Sequence, residues 1–236
     1  KEKIIFLREF GIDQILCLRF HAPLAAMSAE IFVHDVLVKA LQMKAIIVGH
    51  DFCFGHKRGG DLNTLTSMGK VCGFSAEGVQ AQCVSGQLVS STLVRELLQK
   101  SDFDQVAALL NRRYVFSGRV CHGRGIGKQI GFRTANLVFK YRVMPLSGVF
   151  AAEVTDDNNK TVIAAVCVGF RPFVGGGERL LEAHLLDYDR DLYGKVIHVD
   201  IKKRLRDQWD FPSSEALCAQ INHDIDNVRA YFNQGG

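Results

Sequence analysis

Several things are missing from this 236-residue chain, and each absence closes off a class of protein. No apolar run approaches the roughly 20 residues of a membrane-spanning helix, so no membrane partner is expected. No block of five or more lysines and arginines occurs, and the net charge is only +4. That mild basicity suits anionic small molecules and falls short of a nucleic-acid footprint. No two of the seven cysteines, at positions 17, 53, 72, 83, 121, 167 and 218, lie within four residues of each other. No zinc knuckle or redox pair is therefore spelled out, and the odd count points to reduced thiols and a cytoplasmic location. The first residues, Lys-Glu-Lys, carry neither an initiator Met nor a signal-peptide pattern, so the start is expected to be internal to a longer protein. No internal repeat or low-complexity tract is present.

What is present is enough apolar material, 47% of the residues, for one large or two small cores. The pattern changes at Asn111-Arg112-Arg113, which divides the chain into residues 1–110 and 111–236. In the first part, Gln14 to Phe20 (QILCLRF) is a dense apolar strand candidate. Ser28 can cap a helix whose apolar positions Val33, Val36, Leu37, Ala40 and Leu41 follow the 3.6-residue period. Ala45 to Val48 is a short continuous apolar run of the kind found in buried parallel strands. Strand, helix and strand together predict a βαβ unit over 14–48, and the loop GHDFCFGHKRGGDL should lie at the carboxyl end of its second strand, where such sheets bind ligands. Asp102 to Leu110 reads as one more helix, with Phe103, Val106, Leu109 and Leu110 on one face.

The second part reads as short β runs separated by Gly, Pro and Asp/Asn: 115–121, 149–154, 161–168, 180–186 and 195–203. Asp156-Asp157-Asn158-Asn159 is a turn between two of them. Many short strands at this spacing predict a small antiparallel barrel. Ser213 to Phe232 closes the chain as a capped helix, and its stripe of Leu217, Ile221, Ile225, Val228 and Phe232 predicts core packing rather than a ligand surface.

Between 117 and 137 lies SGRVCHGRGIGKQIGFRTANL. Gly123, Gly125 and Gly127 alternate with Arg124, Ile126 and Lys128, and a polar Thr-Ala-Asn turn follows. Such a loop brings backbone N–H groups and positive charge close to an anion. Thr134 and Asn136 offer oxygens that a hard cation such as Mg²⁺ accepts. The loop lacks the Gly-Lys-Ser/Thr helix opening of a P-loop, and no strongly periodic helix follows it as in a dinucleotide fold. On these residues alone, a polyphosphate cradle and a plain turn or bulge both stand.

The same segment resembles the start of the riboflavin kinase family, whose pattern is a Gly-rich loop leading into Gly-Phe-Pro-Thr-Ala-Asn. Farther on, GVFAAEV, VGFRP, LEAHLLDYDRDLYGK and RLRD with a following Phe fall in the family's order, over roughly 112–232. The loop G49 to G55 (GHDFCFG) resembles the Gly-x-Asp-Phe-x-Phe-Gly segment of the bacterial FMN adenylyltransferase module, and VSSTLVRELL resembles its Ile-Ser-Ser-Thr-x-x-Arg signature. The histidine motif that opens that module has no counterpart in residues 1–30, so the chain is expected to carry only its second half. The fold implied is α/β followed by mainly β: part of a Rossmann-like nucleotidyltransferase module, then a Greek-key kinase barrel with a C-terminal helix.

The resemblance implies site residues and partners. Gly123, Arg124, Gly125, Gly127 and Lys128 would hold the phosphates of ATP, and Thr134 and Asn136 the Mg²⁺. Glu182 would be the general base on the ribityl 5′-hydroxyl of riboflavin, and a carboxylate in so apolar a strand is costly unless used or paired. Arg206, Trp209 and Phe211 would form a loop over the flavin, and His184 is expected to be a satisfied barrel residue. Asp51, Phe52, Ser90, Ser91, Thr92 and Arg95 would serve the nucleotide of the other reaction, in which FMN becomes FAD; hydroxyls and an Arg at a helix start suit a triphosphate.

Two residues depart from the family pattern: Arg133 stands where it has proline, and Phe173 where it has threonine. Alternation along an extended segment predicts that Arg133 points away from Thr134 and Asn136, so that Arg133→Pro should stabilise by about 0.4–1 kcal/mol and leave ATP binding equal or better. Three functions are compatible with these residues: an enzyme making FMN from riboflavin and ATP, a non-catalytic flavin or nucleotide sensor, and a barrel-type nucleic-acid binder. The last would show strongly salt-dependent binding.

Overall fold

The computed structural model describes residues 2–123, 127, 130–139, 145–171 and 178–234. It falls into two compact units, Lys1–Leu88 and Val89–Gly236, each with its own apolar cluster.

In the first unit a βαβ element is present, but one step later in the chain than expected. Strand β1 (Ala45–Gly49) pairs in parallel with β2 (Ser75–Val79), the helix Leu62–Cys72 connects them, and a short antiparallel hairpin of β3 (Cys83–Val84) and β4 (Gln87–Leu88) follows. Asp61 fixes the start of that helix through a capping box: its carboxylate accepts from the Thr64 backbone N–H at 2.8 Å, and Thr64 reaches back to the Asp61 N–H. Residues Gln14 to Phe20 form no strand, and Leu16, Leu18 and Phe20 are exposed. An apolar run states a preference for burial, whereas a strand also needs a neighbour's hydrogen-bond ladder, and among the described residues none lies beside it. The helix capped by Ser28 runs from Ala29 and continues as a π-helix over Phe32–Ala40, with Val33 fully buried against Val48, Leu65 and Phe74.

The loop after β1 turns back on itself through a bridge between Phe54 and Gly60 and grips the start of the Ser28-capped helix. The His56 N–H donates to the Met27 carbonyl at 2.8 Å. Gly55 has φ +75°, and a Cβ there would stand 2.6 Å from the Ala29 nitrogen, so both backbone geometry and space require glycine.

In the second unit, helices Ser91–Gln99 and Phe103–Leu110 bury Val94, Leu97, Leu98 and Val106 in the same cluster as the barrel interior. The barrel is closed by six strands: β5 (Val115–Cys121), β6 (Ala135–Phe139), β7 (Gly148–Thr155), β8 (Thr161–Arg171), β9 (Glu178–Leu185) and β10 (Val196–Arg206). Their order around the barrel is β10-β5-β6-β9-β8-β7; β7, β8 and β9 meander and β6 lies beside β9, a Greek key. Five of these strands follow the expected positions. The sixth, β6, contains the supposed polar turn: Ala135 and Asn136 are strand residues, and only Thr134 precedes the ladder.

Strict alternation decides what faces where. Leu137, Phe150, Ala152, Val154, Ala164, Val166, Leu181 and Ala183 fill the interior. Their neighbours Asn136, Ala165, Cys167, Glu182 and His184 therefore project from the outer surface of β6, β9 and β8. The C-terminal helix Ser214–Asn233, capped by Ser213 at 3.2 Å, lies on the outside of the barrel. Its C-terminal half packs: Ile225, Val228, Tyr231 and Phe232 cluster with Ala151, Ile163 and Leu186.

Candidate active site

Two cavities, each of about 310 Å³, open on the second unit, and they share a wall. Thr134 and Asn136 line both. Both therefore stand at the partition between the two cavities.

The first cavity lies between the outer face of the barrel and the N-terminal half of the C-terminal helix. Its floor is Ala165, Cys167, Glu182 and His184, and its far wall is Leu217, Ile221 and Asp224. The helix stripe expected to be wholly core is thus divided: Leu217 and Ile221 face this cavity, and only the later positions pack. The small side chains Ala165 and Cys167 alternate with the inward-facing Val166 and Val168 and leave room on the outer face. Burial, with the Glu182 charge adding to it, raises the Cys167 thiol to about 11, so the thiol stays uncharged.

Glu182 sits opposite Asn136 on β6 and opposite Cys167 on β8. Directly opposed residues of an antiparallel pair place their side chains on one face with Cβ atoms about 5 Å apart. The carboxylate therefore stands next to the partition. His184, two residues on, donates from Nδ1 to the Arg133 carbonyl at 2.8 Å and meets the Phe132 ring edge-on at 5.6 Å. The acceptor being a carbonyl, the ring proton is on Nδ1. His184 is satisfied, as expected, although it also lines the cavity.

Arg206 ends β10 rather than lying in the following loop. Its guanidinium makes a forked pair with the buried Asp224 carboxylate, Nε at 2.9 Å and Nη2 at 2.7 Å, and Gln220 completes the cluster at 3.0 Å. Trp209 and Phe211 rest against the same guanidinium, their ring centres 4.8 and 5.7 Å from it. All three expected flavin-loop residues line the first cavity. The charge of Arg206 is already matched, so its part there is to fasten helix and aromatic rings to the barrel mouth.

The second cavity lies at the end of the barrel, walled by Gly123, Arg133 and the loop Leu185–Tyr193. A Cβ on Gly123 would come within 2.7 Å of the Asn136 amide nitrogen, so the glycine backbone lies directly on the partition. Gly127 lines the first cavity. Arg124, Gly125, Lys128 and Phe173 lie outside the described residues. Arg133, an exposed residue expected to turn away from Thr134 and Asn136, is among the residues lining the second cavity. Strict alternation begins only at Ala135, where the ladder starts, and does not govern the residue two places earlier.

Tyr188 and Arg190 also line this cavity, and the reading of the sequence did not single them out. Both are held by Asp156, whose place at the head of the Asp-Asp-Asn-Asn turn was the available signal. Among the described residues no group of three or more His, Cys, Asp or Glu side chains is arranged to hold a metal ion. The Asn136 amide donates from Nδ2 to the Thr134 carbonyl at 3.2 Å, which leaves Oδ1 of the buried side chain available to a hard cation.

The residues of the adenylyltransferase signature fall in both units. Asp51 and Phe52 are exposed in the turn after β1, with Phe52 stacked on Phe54 at 5.6 Å. Ser90 caps the helix Ser91–Gln99, its hydroxyl accepting from the Leu93 N–H at 3.1 Å, and Ser91, Thr92 and Arg95 are exposed on its first turns.

A closed Greek-key barrel with a carboxylate in one cavity, beside its partition with a second, suits a small-molecule transferase of two substrates. Residues 110–232 match the family model of riboflavin kinase, and residues 1–93 match that of FAD synthetase. The chain is 40% identical to a bifunctional riboflavin kinase/FMN adenylyltransferase of Escherichia coli K12 over 98% of its own length and 74% of the relative's. It is 34% identical to the protein so described from Haemophilus influenzae, over 99% of this chain and 76% of that one. A crystal structure described as a macrolide-efflux protein from Streptococcus pneumoniae superimposes over 97% of this chain and 73% of its own, with TM-score 0.76 and 27% identity. In the present chain, no helix among the described residues is long and apolar enough to cross a membrane. The chain belongs to the bifunctional riboflavin kinase/FMN adenylyltransferase family.

Proposed function

We infer that the chain transfers the γ-phosphoryl group of ATP to the 5′-hydroxyl of riboflavin, giving FMN and ADP. The observation that carries this reading is the shared wall: Thr134 and Asn136 line both cavities, and Glu182 stands directly across the ladder from Asn136. A phosphoryl transfer needs its acceptor hydroxyl and its triphosphate on two sides of one point, with a base on the acceptor's side.

The first cavity takes the flavin. The apolar side chains of Leu217 and Ile221 and the Trp209 and Phe211 rings suit a flat aromatic system, and the ribityl chain runs from there toward the partition. Glu182 accepts the 5′-hydroxyl proton as that oxygen bonds to the γ-phosphorus and ADP departs with the former bridging oxygen. The second cavity takes the nucleotide, with Gly123 on its wall; Arg124, Gly125, Gly127 and Lys128 would continue the phosphate loop, Gly127 from the first-cavity side of the partition. Arg133 adds a cation from the neighbouring wall.

A divalent cation, Mg²⁺ in our reading, would be held by the oxygens of Thr134 and Asn136. Two neutral oxygens are too few to hold it alone, which fits a cation that arrives with the nucleotide and is bound chiefly by phosphates and water. When bound, it neutralises the charge that develops on the phosphoryl oxygens.

Adenylyl transfer to FMN, the family's second activity, belongs to residues 1–93, which match FAD synthetase, and to Arg95 just beyond them; Asp51, Phe52, Ser90, Ser91, Thr92 and Arg95 are its candidate nucleotide contacts. We place the boundary between the two catalytic modules at Leu110 and Asn111. The test of the kinase reading is direct: incubate the chain with riboflavin, ATP and Mg²⁺, and separate FMN from riboflavin by chromatography. ATP-dependent FMN is expected, and riboflavin recovered unchanged would leave a binding protein instead.

A further inference from the structure

Asp156 lines neither cavity, yet it is one of the few buried charged residues among those described. It sits just past β7, at the head of the turn leading into β8. Its two oxygens do different work. Oδ1 accepts from the backbone N–H groups of Asn158 and Lys160, at 2.8 and 2.9 Å, and so closes its own turn. Oδ2 accepts from the Tyr188 hydroxyl and from Arg190 Nη1, both at 2.7 Å. Asp157 adds Lys195 at 3.1 Å, and the Lys160 ammonium lies 5.4 Å from the centre of the Tyr188 ring. The turn between β7 and β8 therefore grips the loop between β9 and β10, which forms a wall of the second cavity.

Burial by itself would raise the Asp156 carboxyl, but the bonds from Tyr188, Lys160 and Asn158 and the nearby Arg190 charge outweigh it and hold it below the ordinary aspartate range. Burial first, and the bond to Asp156 next, raise the Tyr188 hydroxyl to about 12, so it remains a donor at any physiological pH. The clamp is thus fully formed at neutral pH.

We propose that Asp156 is a positioning residue for the nucleotide, holding Tyr188 and Arg190 in the shape that the second cavity needs to accept ATP. It acts through those two side chains and touches no substrate. The inference rests on the assignment of the second cavity to the nucleotide.

Asp156→Asn separates the two oxygens. The amide oxygen can still accept the two turn N–H groups, but the amide NH₂ then faces Arg190, a donor against a donor, and the arginine loses its shortest charged contact, keeping Asp157 at 3.6 Å and the Asn158 side-chain oxygen. The expected result is a KM for ATP raised about tenfold, the size of one lost charge-assisted bond, with the KM for riboflavin changed less than twofold. Tyr188→Phe removes a single donor without altering shape, and should raise the KM for ATP about threefold; it carries the test if the first variant does not fold. An unchanged KM for ATP, or a parallel rise in both KM values, would overturn the proposal. A wild-type chain that makes no FMN from ATP would instead sink the kinase reading itself, so the two failures are distinguishable.

Discussion

The two cavities are equal in volume and opposite in construction. The first is built on regular elements: strands supply its floor, a helix its far wall, and one buried ion pair locks the two together. The second is built on loops, and its shape depends on side chains tied down from outside by Asp156. The difference matches what each is proposed to hold. A rigid, flat, largely apolar ring system is best met by a wall that does not move. A triphosphate is flexible and charged, and backbone N–H groups on loops can follow it.

The largest effect should come from the lock of the first cavity. Removing Asp224 leaves Arg206 without its buried partner, and breaking such a pair typically costs about 3–5 kcal/mol. Asp224→Ala is expected to lower stability on that scale in urea unfolding and to loosen riboflavin binding more than ATP binding. Equal losses for both ligands would mean that the cavities are not independent. Next in size is Glu182→Gln, which keeps shape and removes basicity. Turnover should fall by roughly 10²-fold or more, with riboflavin affinity, followed by flavin fluorescence, little changed. Near-normal turnover would take Glu182 out of the mechanism.

A smaller effect belongs to the helix face. Ile221→Asn places an unpartnered amide in the apolar wall at a cost of about 1–3 kcal/mol, which corresponds to a riboflavin KM raised about tenfold. The smallest concerns Arg133. Because this residue lines the nucleotide cavity, Arg133→Pro should now weaken ATP binding a few-fold, about the size of one exposed charge contact of up to ~1 kcal/mol. The carbonyl that accepts from His184 is retained in that variant, so flavin binding should not follow. ATP binding at wild-type strength would show that Arg133 makes no contact with the nucleotide.

Much of the barrel was legible in the sequence, because each of its strands has two neighbours and therefore shows its inward positions plainly. The one strand missed, β6, is the one that bears Asn136 near its start, with Thr134 just before it. A polar residue needed for function hides the alternation that would have revealed the element. The C-terminal stripe misled in the converse way: Leu217 and Ile221 are apolar because a ligand surface can be as apolar as a core. QILCLRF misled because no pattern within a segment states whether a partner strand stands beside it. The clamp at Asp156 was illegible for a further reason. Asp156 and Arg190 are far apart in sequence, and only the meeting of two loops at one end of the barrel turns an ordinary Asp-Asn turn into a support for the site.

The central claim is that two cavities take two substrates across one partition. Its most direct test is to measure both KM values in two variants side by side, Ile221→Asn and Asp156→Asn. A crossed pattern is predicted: the first variant raises the KM for riboflavin alone, and the second raises the KM for ATP alone. If both variants raise the same KM, or each raises both together, the two-cavity account is contradicted.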